Sequence, residues 1–375
     1  MSSTEHGPAG PEDVRAAGKD DSHAADPDGP PATARRSAAI VVNPAKVDVT
    51  TLRRVVERAE TTHGWAPSTW FPTAAADDGR GAVRDAAELR PELILVAGGD
   101  GTLRSAAEEL SGSGIPLGLL AVGTANLFAR ELRLPLNDLA AAVEIAFTGR
   151  NRPIDVGVVE FERPDGEKET KAFLVMTGIG VDAHMAAHTN EALKRRIGWL
   201  AYTDPIARSV FGNRQFDLVY RLDDKPEVAT RAHTVIVGNS GSLPAGLLLL
   251  PAATVDDGLL DAVVFRPGRG SGWTNIGYRL TFNRLLHRTR VGRQLVRLTP
   301  RSRAIRWAQA TRMSVRFDTP QEIQLDGDPS GTVVGAVITV QHHGLLIREP
   351  SGRVESVRAA HADRTSDPSR MERSP

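Results

Sequence analysis

LILVAGGDGTLRSAAEEL, residues 93–110, is the stretch on which the reading of this chain turns. Glu92 to Ala97 is a short apolar run with no polar alternation, so it reads as a strand buried on both faces. It runs into Gly98-Gly99-Asp100-Gly101-Thr102, after which Leu103, Ala106, Ala107 and Leu110 recur at helical spacing. Three glycines in four positions permit positive φ and close backbone approach. The unpaired N–H groups of the new helix point at whatever rests on the turn, which suits a phosphate. Asp100 would repel a bare phosphate, so a divalent cation is expected between carboxylate and phosphates. A tight strand–helix turn with Asp100 as a cap is the plainer alternative. The string is neither a Rossmann G-x-G-x-x-G nor a Walker A loop, because no Gly-Lys-Ser/Thr follows.

Outward from this turn the pattern repeats. AAIVVN (38–43) reads as a buried strand ending at Asn43-Pro44, and Leu52, Val55, Val56 and Ala59 follow at helical spacing. A short strand at Ser68 to Phe71, a helix at Ala82 to Leu89, a strand at Pro116 to Val122 and helices near 125–131 and 137–147 complete the first part. Such alternation predicts a Rossmann-like, mostly parallel sheet covered on both faces. After Arg150 the segments become strand-like and many alternate: Ile154–Glu160, Ala172–Gly178, Phe216–Leu222, Thr230–Val237, Leu259–Phe265, Ser314–Phe317, Glu322–Leu325, Val333–Val340 and Gly344–Arg348. These predict a β-rich second domain of antiparallel pairs, interrupted by helices near 183–212 and 272–298. The expected organisation is a disordered tail (1–37), an α/β nucleotide-binding domain (38–150), a β-rich substrate domain (151–355) and a second tail (356–375). Apart from Met1, the first 37 residues carry one large aliphatic side chain, Val14, too little to offset the entropy of ordering.

Composition narrows the chemistry. The chain has 375 residues and no cysteine, which excludes disulfides, cysteine-ligated zinc, iron–sulfur clusters and thiol nucleophiles. Lys+Arg and Asp+Glu both total 46, which argues against a globally basic nucleic-acid binder. No apolar run approaches the ~20 residues of a membrane span, and the N-terminus has no apolar signal core. A soluble, cytoplasmic protein is expected. The ten histidines show no metal spacing, and His342-His343, at a strand boundary, are not expected to share a face. Ser240-Gly-Ser242 lacks the G-x-S-x-G of a nucleophile elbow.

With these pieces in order, the chain resembles the bacterial diacylglycerol kinase-like lipid kinases, relatives of eukaryotic diacylglycerol and sphingosine kinases. GGDGT looks like that family's nucleotide-phosphate loop, a string also found in NAD kinases. Asn43-Pro44, Thr73, GLLAVGTANLFARELRLP (118–135), Pro153-Ile-Asp155-Val-Gly157, PAATVDDGLLDAVVF (251–265) and QLDGDP (324–329) are similar to further family motifs in family order. The resemblance covers roughly 38–350. It implies an α/β nucleotide-binding domain packed against a β-rich, sandwich-like domain, ATP and Mg²⁺ as cofactors, and an active site in the cleft between the two domains.

Carried over residue by residue, it implies that Asn43, Pro44, Thr73, Gly98, Gly99, Gly101, Thr102 and Thr124 contact the nucleotide, with Lys46 able to supply a cation. It makes Asp328 the general base, at a position where the family most often has Glu, with Asp326 close enough to share a metal. A hairpin turn is the plain reading of Asp326-Gly327. Asp100 and Asp155 would orient the catalytic Mg²⁺. Asp257, with the carbonyls of Thr254 and Leu259, would hold a second, structural Mg²⁺. Three departures stand out: Leu127 where the family often has a third Asp, Lys46-Val47 where many relatives have Ser-Gly, and Arg104-Ser105 where Asn-Glu is common.

From Ala262 to Phe317 there are 13 arginines and no acid, interleaved with Trp273, Tyr278 and Phe282. Lys194 to Tyr202 is a second basic-aromatic stretch. For a lipid kinase these predict peripheral contact with the inner face of an anionic membrane; a solvated face is the plain reading. The expected function is transfer of the γ-phosphate of ATP to a hydroxyl of diacylglycerol or a related lipid, by a chain that binds no nucleic acid and could form a homodimer. The alternatives are a soluble NAD kinase-like enzyme and a catalytically silent lipid- or nucleotide-binding protein.

Overall fold

The central strands of the N-terminal half are buried because helices cover both faces of the sheet they join, whereas its edge strand is half exposed. The computed structural model describes residues 35–74, 77–180, 215–243, 247–248, 250, 253–266 and 305–351. The helices expected near 183–212 and 272–298, the 194–202 stretch, most of the first tail and all of the second lie outside the described residues. The first half runs β1 (Ala38–Val42), α1 (Val49–His63), β2 (Thr69–Pro72), α2 (Arg80–Glu88), β3 (Leu93–Gly98), α3 (Asp100–Leu110), β4 (Pro116–Ala121), α4 (Leu127–Glu131) and α5 (Leu139–Thr148). β1 pairs in parallel with β2 and β3, and β3 with β4. Side chains alternate across the sheet. Ala38, Ile40 and Val42 pack with Leu52, Val56, Val143 and Phe147 of α1 and α5. Ala39 and Val41 face Val83, Ala86, Leu103 and Ala106 of α2 and α3. This period of two within an unbroken apolar run is what a strand covered on both sides requires. α1 is opened by Asp48, which accepts from the Thr50 and Thr51 amides, and closed by Gly64 at φ 68°.

The second half contains β5 (Arg150–Glu162), β6 (Lys168–Phe173), β7 (Met176–Ile179), β8 (Phe216–Leu222), β9 (Val228–Ala232), β10 (Thr234–Gly238), β11 (Ser242–Leu243), β12 (Leu247–Leu248), β13 (Leu260–Phe265), β14 (Ile305–Ala310), β15 (Arg312–Leu325) and β16 (Asp328–Glu349). Its pairings are antiparallel, around a core that includes Phe161, Phe173, Ile179, Val235, Val264 and Ile323. Four sequence expectations are redrawn here. Ala172–Gly178 is two strands, broken at Leu174-Val175, and Thr230–Val237 is two strands, broken at His233. Ser314–Phe317 and Glu322–Leu325 are one strand with register shifts, and so are Val333–Val340 and Gly344–Arg348. Gaps in apolar alternation that read as turns are bulges inside continuous ladders.

The two halves share one sheet. β16 pairs with β5 along its length, and near its end Leu346 and Ile347 pair in parallel with Pro116 and Leu117 of β4. Among the described residues fourteen strands hydrogen-bond into a single sheet, so the α/β layer and the antiparallel layer are continuous.

Gly157 of the Asp155-Val-Gly157 motif shows why a glycine stands there. It is the Cα partner of Phe173, whose ring occupies the space a Cβ would need. Gly157→Ala is expected to lower unfolding stability by about 1–3 kcal/mol through overpacking. Phe173→Leu in the same chain should recover part of that loss in a denaturant titration. An unchanged midpoint for Gly157→Ala would contradict the packing described.

Candidate active site

The glycine turn is built by close approach, not by left-handed backbone. None of Gly98, Gly99 and Gly101 has positive φ. A Cβ on Gly98 would come 2.7 Å from Thr102 Cβ. One on Gly99 would stand 3.1 Å from Lys46 Nζ and 3.7 Å from Gly123 Cα, and one on Gly123 would meet Gly99 Cα at 2.9 Å. Of the two uses that the glycines permit, close approach is the one realised: neighbouring backbone and side chains occupy the space. Gly99 is the N-cap of α3, at φ −96° and ψ −175°, with no side chain capping it. The first-turn amides therefore keep their donors directed outward.

Three loops surround this helix start. Asn43 Oδ1 accepts from Ala45 N–H at 3.0 Å, and Asn43 O accepts from the Lys46 and Val47 amides. This tight turn through Pro44 carries the Lys46 ammonium over Gly99. Thr73 leaves β2 with its N–H bonded to Val42 O at 2.8 Å. Its methyl and that of Thr102 lie 2.6 and 3.4 Å from the Cβ position of Gly79. Gly123 packs on Gly99, and Thr124 is exposed beside it. The structure thus gathers Asn43, Pro44, Lys46, Thr73, Gly98, Gly99, Gly101, Thr102 and Thr124 around one helix N-terminus.

Asp100 does not cap its own helix. Its Oδ1 accepts from Leu127 N–H at 2.8 Å, at the start of α4. Asn126, buried at φ 47°, ties the loop further: its Oδ1 accepts from Gly123 N–H and its Nδ2 donates to Gly123 O. At the position where the family resemblance implies another aspartate, Leu127 contributes a backbone amide to Asp100. Burial pushes the Asp100 carboxyl above its ordinary range, and the nearby Asp328 charge adds to this; the Leu127, Asn126 and Phe128 amides pull the other way.

Asp328 arrives from the far end of the sequence. β15 and β16 are joined by Asp326-Gly327 at φ 50° and 92°, a two-residue turn that pairs Leu325 with Asp328. A Cβ on Gly101 would lie 3.7 Å from Asp328 Oδ2. Arg104 holds that same oxygen at 2.9 Å and donates to Leu325 O at 3.0 Å. The Arg104 side chain is 12 % exposed and Asp328 51 %, so the carboxylate faces solvent from a fixed guanidinium. Arg104 entered the sequence reading only as a departure. The four-residue step from Asp100 to Arg104, which puts both on one helix face, was the available signal. Asp326 has another role than a shared metal site. It is buried, and its carboxylate accepts from the Leu174, Val175 and Met176 amides at 2.9, 2.8 and 3.0 Å. Burial pushes it up to about 6, against those three bonds and Arg104.

Asp155 bonds elsewhere. Its Oδ1 meets His342 Nδ1 and the His343 amide, each at 2.8 Å, and its Oδ2 accepts from Gly258 N–H at 2.7 Å. None of these partners belongs to the glycine turn. Asp257, exposed, accepts from Leu259 N–H at 3.0 Å and closes the turn that follows Thr254. An apolar hollow of about 210 Å³, lined by Leu222, Val228, Val264, Trp307 and Met313, lies toward the opposite end of β15 from the Asp326-Gly327 turn.

Comparison with known proteins identifies the domains that carry this turn. Residues 37–159 match the model of the diacylglycerol kinase catalytic domain, and 175–343 that of the YegS C-terminal NAD kinase beta sandwich-like domain. A diacylglycerol kinase of Mycobacterium tuberculosis is 30 % identical over 186 residues, 50 % of this chain and 59 % of that protein's length. A Bacillus subtilis diacylglycerol kinase is 25 % identical over 313 residues, 82 % of this chain and 95 % of that protein. The crystal structure of a Bacillus anthracis diacylglycerol kinase superposes with a TM-score of 0.56 at 19 % identity, covering 84 % of this chain and 97 % of that one, which bears on the fold. With both of the family's domains matched in order and the glycine turn, Asp100 and Asp328 assembled on one wall, the chain belongs to the bacterial diacylglycerol kinase-like lipid kinase family.

Proposed function

We propose that this chain transfers the γ-phosphoryl group of ATP, with Mg²⁺, to a hydroxyl of diacylglycerol or a related membrane lipid. The observation that carries the reading is the meeting of Asp328 with the glycine turn, across more than 200 residues of sequence. The donor set fits both groups. An ammonium and uncapped amides over a Cβ-free cradle suit phosphate oxygens, and Asp100 beside Asp328 suits a hard cation. When bound, ATP supplies the transferable group and Mg²⁺ neutralises charge on its oxygens.

The chain's residues then divide the work. Lys46 and the α3 amides hold the phosphates in register. Asp100, steadied by Leu127 N–H, holds the cation. Asp328 takes the proton of the acceptor hydroxyl. Its Oδ1 has no hydrogen-bond partner among the described residues, while Arg104 fixes the carboxylate through Oδ2. Asp257, with the carbonyls of Thr254 and Leu259, holds a second cation that stiffens its turn. The lipid is met at a membrane surface, through the arginine-rich 262–317 segment and at the inner face of the membrane. Within the described part of that segment, Arg316 is paired with Glu227 at 3.6 Å. No helix among the described residues is long and apolar enough to cross a membrane.

Labelled ATP with a total-lipid extract should yield a labelled lipid. Asp328→Ala should cut turnover by roughly 10²–10⁴-fold, the usual worth of a positioned base, while ATP binding persists. ATP binding without turnover in the wild type would instead support the silent binder, and phosphorylation of NAD rather than lipid the NAD kinase-like enzyme. Arg104→Gln should lower kcat by at least about tenfold with KM for ATP little changed, because it removes positioning and not phosphate contact. An effect confined to KM would place Arg104 on the nucleotide. Asp100 must be ionised to hold a cation, and burial raises its carboxyl above the ordinary range, so the metal-free site should lose Mg²⁺ affinity as pH falls through that raised value. The Mg²⁺ concentration needed for half-maximal activity should therefore rise on acidification, and a pH-independent value would contradict that role.

A further inference from the structure

β16 and β5 fall out of step at one place. Gln341 faces Val156 and Leu345 faces Ile154, so three residues of β16, His342 to Gly344, stand opposite Asp155 alone. His343 takes φ 53° within this bulge. Regular alternation would put His342 and His343 on opposite faces, as the sequence reading assumed. The bulge overturns that: the two rings stack on one side, with centroids 3.7 Å apart and planes inclined by 28°.

Beneath the rings Asp155 is fully buried, and the His342 side chain is 52 % exposed. One ligand atom from each of Asp155, His342 and His343 lies within 4.8 Å of the other two. Among the described residues no other three metal-ligating side chains of His, Cys, Asp or Glu come together in this way. We propose that Asp155, His342 and His343 form a site for a divalent transition-metal ion of the zinc class. Two imidazole nitrogens and one carboxylate oxygen are the donors such an ion prefers, whereas Mg²⁺ takes oxygen ligands. Bonds of about 2.0–2.2 Å put neighbouring ligand atoms roughly 3.3–3.6 Å apart in a tetrahedron, so closing the site requires the two rings to turn out of their stack until both nitrogens face one ion. Three protein ligands leave a fourth position open at the exposed rings. The Gly258 N–H on Asp155 Oδ2 is the outer hydrogen bond that orients a metal-binding carboxylate. An ion here would join β5, the 256–258 turn and the β16 bulge. It would turn Asp155 away from the Mg²⁺ role that the family resemblance implies. The site shares no residue with the Lys46, Asp100, Arg104 and Asp328 cluster, so it stands or falls apart from phosphoryl transfer.

The full chain, stripped with a chelator, would be dialysed at pH 7.5 against ZnCl₂ and, separately, MgCl₂, and bound metal measured by atomic emission. The wild type should retain one Zn²⁺ equivalent that excess Mg²⁺ does not displace. The double variant His342→Gln/His343→Gln, and His343→Ala alone, should bind it at least about tenfold more weakly, with circular dichroism unchanged. Zn²⁺ should raise the Tm of the wild type and not of the double variant. Equal Zn²⁺ uptake by wild type and double variant, or none by the wild type, would overturn the site. Displacement of Zn²⁺ by equimolar Mg²⁺ would overturn the zinc-class assignment.

Discussion

One strand holds the molecule to its purpose. β16 runs 22 residues, from Asp328 beside the glycine turn to Glu349 beside β5. At its end it adds to the parallel sheet through β4, and through most of its length it is the backbone partner of β5 and β15. Ladder hydrogen bonds of that extent leave little freedom to slide, because a one-residue slip would turn every buried side chain outward. The position of Asp328 relative to α3 is therefore set by sheet register, and the Arg104 ion pair makes the last adjustment.

The acids of the molecule are sorted by what surrounds them. Asp326 is buried against three amides and serves the backbone at Leu174–Met176. Asp328, two residues on, is half exposed and held by one guanidinium. Asp100 reaches across to the N-terminus of α4 and fixes the loop that packs Gly123 on Gly99. Asp155 is enclosed by the 256–258 turn and the β16 bulge. A carboxylate with three amide donors is committed to the backbone, and one with an open oxygen facing solvent keeps a lone pair free to accept a proton. Sequence spacing places Asp326 and Asp328 together, and only their surroundings separate them.

The residue sequence determined the local elements, because periodicity, glycine turns and caps are short-range effects: β1, α1, β3, α3 and β4 were legible, and so was the ordered set of motifs. It could not determine which of two adjacent apolar runs were one bulged strand, since a bulge looks like a turn until its partner strand is present. The same blindness put His342 and His343 on opposite faces. It made Arg104 look like a loss when its partner was Asp328, 224 residues away. Those outcomes belong to tertiary structure alone, because pairing register and burial arise from contacts between segments that no local pattern encodes.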